Sequence, residues 1–215
     1  MRLFKYRSLT GDGFLHALDM IVNKRIYLAT LDTMNDPDEG DFEIEGQIGL
    51  MQTHGLSFLN EMKALRTEIN KTRFTSFTTK VDNPLLWAHY AGGYSGVAFE
   101  YDIPESNSAI DLLPIQYSGT PRITHGTCKK ILDKRDLLYK HGILRSKRSE
   151  WMYENEYRLY LKGNNDSYLE QIDPVSIIVG GRNRRYDSVF EQICKKFKIR
   201  IGFLVNRSSG YEIAY

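Results

Sequence analysis

The sequence has little of what marks secreted, membrane-spanning or metal-binding proteins. Its two cysteines, Cys128 and Cys194, lie far apart without metal-ligand spacing, so we expect reduced thiols rather than a disulfide framework. No run approaches the ~18 apolar residues of a membrane helix, and residues 1–7 show no apolar signal region. These absences predict a soluble, cytoplasmic protein with no membrane partner.

The common motifs of nucleotide-binding and metal-dependent enzymes are also missing. The chain has no dinucleotide-binding glycine fingerprint, no Walker loop, no metalloprotease helix motif and no zinc-type cluster of cysteine and histidine. A conventional Rossmann or P-loop enzyme is therefore not expected, and no metal-ligand set is predicted.

What is present is an ordinary globular composition with 14 tyrosines and an uneven distribution of charge. Tyrosine suits the burial of a polar, ring-containing ligand, and it suits a tyrosine-rich core equally well. Residues 1–107 carry 10 Lys+Arg against 15 Asp+Glu, whereas residues 108–215 carry 19 against 12. The basic second half favours either phosphates, free or in nucleic acid, or a solvated basic surface.

Hydrophobic periodicity predicts alternating helices and strands, which we interpret as a single domain over residues 1–215. Strands are expected at 3–6, 25–30, 73–79, 96–102, 114–117, 152–161, 175–179, 199–205 and 211–214. Helices are expected at 14–23, 56–70 and 186–196, with a basic helical region at 124–148 that Gly142 interrupts. The expected fold class is α+β, with a mixed, largely antiparallel, split β-sheet core and flanking helices.

Residues 83–97 are the most informative stretch, because large aromatic side chains surround a glycine pair. Asn83 and Pro84 predict a short helix that ends at Gly92 and Gly93. Four ring-bearing side chains lie in this stretch: Trp87, His89, Tyr90 and Tyr94. We interpret them as the aromatic wall of a ligand cleft with a glycine-lined floor. For His89, which lacks partners at metal-ligand spacing, a structural role is the alternative.

A second candidate is the polar row Glu154, Glu156 and Arg158. If residues 152–161 form one strand, these three side chains share a face because side chains alternate along a strand. Two carboxylates beside a guanidinium can stabilise a cationic transition state or activate a hydroxyl group. The alternative is the exposed polar face of an edge strand.

Two further strands carry candidate ligand-binding side chains. Ser76 and Thr78 lie on one face of the strand at 73–79, where small hydroxyl groups let a ligand approach. The alternative is that this strand contains Thr only because Thr favours β-structure. Arg7 follows Tyr6 near the end of the first strand and can hold a phosphate or a carboxylate bidentately. A salt bridge from Arg7 to the acidic loop at 36–39 is the alternative.

Four segments together resemble the bacterial domain of unknown function 2971 family. They are Phe4-Lys-Tyr-Arg7, the loop at 33–39, the stretch at 83–97, and Trp151-Met-Tyr-Glu-Asn-Glu-Tyr-Arg158. In order and spacing they cover nearly the whole chain. The family name implies no activity.

The chain is also similar, more remotely, to the ADP-ribosyltransferase superfamily. Those proteins open strand–helix–strand with an Arg or His on the first strand, carry a Ser/Thr-rich strand next, and end with a Glu, often as Glu-x-Glu, on a late strand. Three segments fall in that order here: Tyr6-Arg7, Thr75-Ser-Phe-Thr78 and Glu154-Asn-Glu156. Which of Tyr6 and Arg7, and which of Glu154 and Glu156, faces the cleft stays open.

This second resemblance implies NAD as a substrate, bound between two small sheets of an ADP-ribosyltransferase-like fold. Arg7 would hold a phosphate or a ribose, and Ser76 and Thr78 would line the nicotinamide ribose. An aromatic ring, Tyr90 or Trp87, would stack on the nicotinamide.

The same resemblance implies the catalytic roles. Glu156 would bond a ribose hydroxyl and stabilise positive charge as nicotinamide leaves, because a fixed carboxylate favours a cationic transition state. Glu154 or Arg158 would orient the acceptor. The chain would then be a transferase acting on nucleic acid or protein, as a bacterial toxin or a phage-defence (antiviral) effector.

Two other functions stay open from the sequence. One is a non-catalytic nucleotide-binding sensor that uses the same aromatic cleft. The other is a metal-dependent nucleic-acid hydrolase that places Asp36, Glu39 and the Glu154/Glu156 pair around Mg²⁺.

Overall fold

The computed structural model describes residues 1–105, 108–134, 137–163, 166–182, 184–207 and 210–215. The strands are β1 (Arg2–Arg7), β2 (Ile26–Tyr27), β3 (Glu43–Ile44), β4 (Thr75–Thr78), β5 (Val97–Asp102), β6 (Ile110–Pro114), β7 (Arg122–Ile123), β8 (Glu156–Leu161), β9 (Tyr168–Leu169), β10 (Ser176–Val179), β11 (Arg200–Arg207) and β12 (Gly210–Ala214). The helices are α1 (Gly13–Val22), α2 (Gln47–His54), α3 (Leu56–Asn70), α4 (Pro84–Tyr90), α5 (His125–Lys134), α6 (Leu137–Leu144) and α7 (Asp187–Phe197). Short 3₁₀ helices lie at Leu31–Thr33, Ser149–Glu154 and Arg184–Tyr186.

The chain forms two compact units. The first comprises Met1–Leu28, Thr75–Leu112 and Tyr153–Tyr215, and the second comprises Ala29–Phe74 and Leu113–Met152.

An eight-stranded sheet in the order β12-β11-β10-β5-β1-β4-β8-β6 organises the first unit. β10 and β11 run parallel, whereas β1–β5, β1–β4, β4–β8, β10–β5 and β11–β12 are antiparallel. The predicted α+β class with a largely antiparallel sheet is therefore confirmed. The strands form one continuous sheet rather than a split core, and β1 and β4 share a single registered pair, Phe4 with Thr78.

β5 and β10, which are neighbours near the middle of the sheet, have largely apolar sequences. β10 is buried along its whole length, and β5 is buried from Val97 to Tyr101. A strand covered on both faces needs apolar or internally satisfied side chains at every position, so its sequence loses the usual alternation. Both strands could therefore be predicted from the sequence.

Each face of the sheet packs against different helices. On one face, Leu3, Phe77 and Phe99 belong to a core cluster with α1 and α7, which contribute Met20 and Phe190 among others. We call this the α1/α7 face.

On the opposite face, Ala98, Ile178 and Leu204 form a smaller cluster with Trp87 and Ala91, at and just beyond α4. We call this the α4 face. Because α4 packs against β1, the central strand separates the two clusters.

The second unit is mainly helical. α3 packs against α5, and their buried side chains include Phe58, Leu65 and Ile131. The predicted break of the basic helical region at Gly142 is wrong, because Gly142 lies inside α6, and residues 135 and 136 between α5 and α6 lie outside the described residues. In the described part of the chain, no helix is both long and apolar enough to cross a membrane.

Candidate functional site

The helix predicted from residues 83–97 forms where its capping residues place it. The Asn83 side chain accepts a hydrogen bond from the Leu85 backbone N–H at 2.9 Å, and Pro84 occupies the first turn. Gly92 and Gly93 adopt φ angles of +55° and +63°, a conformation that glycine reaches without strain. The predicted start and end of this helix are confirmed.

Trp87 belongs to the core of this unit and does not line an open cleft. Its side chain is fully buried, its indole N–H donates to the Val81 carbonyl at 2.7 Å, and the Tyr6 ring meets it edge-on at 5.1 Å. The interpretation of Trp87 as a ring that stacks on a ligand is therefore wrong. Its size and polar tip suit a buried anchor that holds α4 on the sheet.

The expectation that Glu154, Glu156 and Arg158 share one strand face is also wrong. Glu154 is the last residue of a 3₁₀ helix, and β8 begins only at Glu156. Between them Asn155 has φ +45°, a left-handed conformation that Asn tolerates better than most residues. The chain turns at Asn155, so the two carboxylates have different partners.

Glu156 lies across from the hydroxyl-bearing strand β4. Its carboxylate accepts a hydrogen bond from the Ser76 hydroxyl at 2.6 Å and another from Arg158 Nε at 2.7 Å. Glu156 is nearly buried and Arg158 is fully buried. Arg158 therefore neutralises and positions Glu156, and it is too deeply buried for its expected role of orienting an acceptor.

Glu154 connects the start of β8 to α4. Its carboxylate accepts a short hydrogen bond from the Tyr90 hydroxyl, and its carbonyl accepts one from the Thr78 hydroxyl at 2.6 Å. The Asn83 side-chain amide donates to the Tyr153 carbonyl at 2.8 Å. Hydrogen bonds thus join the stretch at 83–97 to the Glu154–Arg158 segment.

The other predicted ligand contacts differ in exposure. His89 is exposed on α4, with its ring 6.1 Å from that of Tyr153, whereas Tyr90 and Ser76 are half-buried. Thr78 is buried, and its hydroxyl also accepts the Lys80 backbone N–H. Of the hydroxyl pair, only Ser76 contacts a predicted catalytic carboxylate.

The sheet separates Tyr6 from Arg7. Side chains alternate along β1, so Phe4 and Tyr6 point to the α4 face, and Phe4 pairs with Thr78 on that face. Arg7 points with Leu3 to the α1/α7 face. Tyr6 is therefore the first-strand residue on the side of Ser76 and Glu156, and the assignment of Arg7 to the same ligand as Glu156 is wrong.

The acidic loop of the second unit has partners of its own. Glu39 pairs with Lys147 at 2.8 Å, and Asp38 pairs with Arg148. No group of three or more His, Cys, Asp or Glu side chains that could share a metal ion occurs in the described part of the chain. The geometry therefore gives no support to the proposed Mg²⁺ site of Asp36, Glu39 and the Glu154/Glu156 pair.

Sequence reasoning named Arg7 as a candidate phosphate ligand but missed two polar groups that share its face, the α1/α7 face: Lys5 and Tyr101. Burial lowers the pKa of Lys5 well below its usual value, and the charge of Arg7 adds to this effect while that of Glu156 opposes it. Burial also lowers the pKa of Arg7 and raises that of Tyr101. Two basic residues two positions apart on a partly buried strand were the available signal.

No family model, curated protein or solved structure that was compared with the chain matches it. The resemblances drawn from the sequence therefore stay predictions.

Proposed function

We propose that the chain is an ADP-ribosyltransferase-like enzyme that uses NAD, with Glu156 as its catalytic carboxylate. One observation carries the proposal: the 2.6 Å hydrogen bond from Ser76 to Glu156 joins the hydroxyl-bearing strand to the late acidic strand. Those are two of the three motifs in the superfamily that the sequence resembles. Tyr6, from the third motif, lies on the same face of the sheet.

In the proposed reaction, the bond between the ribose anomeric carbon and the nicotinamide nitrogen breaks. Nicotinamide leaves with the bonding electron pair, and a nucleophile on the acceptor forms the new bond to the anomeric carbon and loses a proton. Glu156 stabilises the positive charge that develops on the ribose, and a carboxylate held by Ser76 and Arg158 needs no reorganisation to do so. Tyr90 is the half-buried ring next to this site that can contact the nicotinamide.

Glu156→Gln tests the role of the carboxylate. We expect it to lower the transfer of label from NAD at least about 100-fold, as loss of a preorganised electrostatic group does. Incubation of the protein with labelled NAD, RNA, DNA and lysate protein measures both the transfer and the class of acceptor. Label on nucleic acid is the outcome that the basic second half of the chain favours.

Glu100→Gln is a matched control for this experiment. Glu100 is also a buried carboxylate that accepts a hydrogen bond from a serine hydroxyl, that of Ser176, and it lies opposite Phe4 on the α4 face. We expect Glu100→Gln to retain transfer. Equal transfer by Glu156→Gln and the unmodified protein would contradict the mechanism.

A second function, non-catalytic nucleotide binding, is favoured by the buried Glu156–Arg158 ion pair. A carboxylate already neutralised by a fully buried guanidinium attracts a developing cation less strongly. This alternative predicts saturable binding of NAD or another nucleotide, without release of nicotinamide, at an affinity that Glu156→Gln leaves unchanged. Equilibrium dialysis combined with a nicotinamide-release assay separates the two functions.

A further inference from the structure

Four hydrogen-bond donors lie on the α1/α7 face of three adjacent strands. Lys5 and Arg7 share this face of β1 with Leu3, and Tyr101 pairs with Leu3 from β5. On β4, Thr75 shares the face of Phe77, since Thr78 points the opposite way. The order of the strands, β5-β1-β4, therefore places β1 and its two cations between the two hydroxyl groups.

Three of these side chains have a buried polar atom with no hydrogen-bond partner. The atoms are Arg7 Nε, Thr75 Oγ1 and the Tyr101 hydroxyl oxygen, and Thr75 and Tyr101 are 1% and 0% exposed. Buried polar groups are nearly always satisfied in folded proteins, so three such atoms on one face point to a bound group or ordered water that completes them.

The charge of this region is positive. Arg7 contributes a guanidinium, and Lys5 and Tyr101 both contact Phe77, whose ring centroid lies 5.6 Å from Lys5 Nζ and 5.9 Å from the centroid of the Tyr101 ring. Lys5 donates one hydrogen bond, to the Ser76 carbonyl at 3.1 Å, and its ammonium group has two further protons.

The carboxylates whose charges affect the pKa values of Lys5 and Tyr101 already have hydrogen-bond or ion-pair partners. Glu156, which acts on Lys5, is held by Ser76 and Arg158 on the α4 face. Asp173, which acts on Tyr101, pairs with Lys24 at 2.9 Å. An incoming anion would therefore supply the charge that balances the two cations.

We infer that Lys5, Arg7, Thr75 and Tyr101 form a binding site for a phosphate-class oxyanion on the α1/α7 face, separate from the Glu156 site. The Arg7 guanidinium supplies a positive charge, and a bound anion would favour the protonated form of Lys5. The guanidinium, ammonium and hydroxyl groups can all donate to the oxygens of the anion. Lys5 and Arg7 each keep part of their surface exposed to solvent. The inference does not depend on the proposed transferase activity, because the sheet lies between the two sites.

Binding of inorganic phosphate and of AMP, measured separately by isothermal titration calorimetry in a phosphate-free buffer, tests the site. We expect saturable binding that Arg7→Met weakens at least about tenfold, because a charge-assisted hydrogen bond is lost. Tyr101→Phe, which removes one oxygen from the core, should weaken it about threefold or more. Tighter binding of phosphate than of AMP identifies the free anion as the ligand, and the reverse identifies a nucleotide phosphate.

Arg2→Met is the matched control, because Arg2 is an exposed arginine of the same strand whose guanidinium pairs with Glu100. It should bind phosphate and AMP like the unmodified protein. No saturable binding, equal affinity for acetate, or equal binding by Arg7→Met and Arg2→Met overturns the inference. The last outcome would mean that ordered water alone completes the buried atoms.

Discussion

Arg158 and Glu156 place opposite charges in the interior of the sheet, two positions apart on β8. Arg158→Met leaves the Glu156 carboxylate buried without its countercharge, so we expect the free energy of unfolding to fall by about 3–5 kcal/mol. The double variant Glu156→Gln, Arg158→Met removes both charges and should recover part of this loss. Urea unfolding at pH 7 measures both changes.

Arg122→Met is the control for this prediction at the residue scale. Arg122 pairs with Glu43 at 2.9 Å, but both side chains are more than half exposed. Solvent screening leaves such a pair less than about 1 kcal/mol of stabilisation. Equal losses for Arg158→Met and Arg122→Met would show that burial does not determine the strength of the Glu156 ion pair.

At the scale of elements, Asn83 has two functions that two substitutions separate. Its oxygen caps α4, and its amide nitrogen bonds the Tyr153 carbonyl next to Glu154. Asn83→Asp keeps the capping oxygen and loses the second bond, whereas Asn83→Ala loses both. We expect Asn83→Ala to cost about 2 kcal/mol and Asn83→Asp about half of that, by urea unfolding.

Activity gives the second measurement for Asn83. If the chain has the proposed transferase activity and the bond to Tyr153 positions the Glu154–Glu156 turn, both variants should lower NAD turnover by similar factors despite their different stabilities. Turnover that follows stability instead would restrict Asn83 to capping α4.

The sequence predicted the elements that short-range interactions determine. It did not predict the end of an element that depends on a single backbone angle. Asn83, Pro84 and the glycine pair specify α4 by short-range hydrogen bonding and allowed φ angles, so its ends were predictable. The left-handed turn at Asn155 was not, because alternation over residues 152–161 looks unbroken in the sequence. That one angle moves Glu154 off the strand and changed the predicted site.

Face assignments were the other part that the sequence could not supply. Tyr6 and Arg7 are both plausible ligand contacts, and only the pairing of Phe4 with Thr78 determines which of them lies on the side of Glu156. Similarly, the chemistry of a tryptophan side chain suits both a ligand cleft and a protein core, so it does not distinguish the two for Trp87. Its burial depends on Ile178 of β10 and Leu204 of β11, far from it in sequence.

At the scale of the whole molecule, each unit contains one buried thiol. Burial raises the pKa of both Cys128 and Cys194 to about 11, and nearby Glu61 adds to the effect at Cys128. At pH 8 both thiols are protonated and shielded, so neither should react with iodoacetamide in the native protein. Mass spectrometry over a urea series should show each cysteine labelled only when its own unit unfolds.

These thiols also predict a pH dependence. Their folded pKa of about 11 lies above the ordinary value of 9.0, so between these values the folded state binds more protons than the unfolded state. Their stabilising contribution is full below pH 9 and is lost as the pH rises towards 11. A double Cys128→Ala, Cys194→Ala variant should lose less stability than the unmodified protein over this range, and an equal loss would contradict the prediction.

The position of β1 between the two helical layers restricts how this chain can vary. A substitution in β1 can alter the proposed Glu156 site or the proposed anion site without altering the other. The reason is that Tyr6 points to the α4 face and Arg7 to the α1/α7 face. An insertion or deletion of one residue is different, because it exchanges the faces of all the side chains beyond it. In natural or engineered variants, the length of this strand should therefore be more constant than its residues.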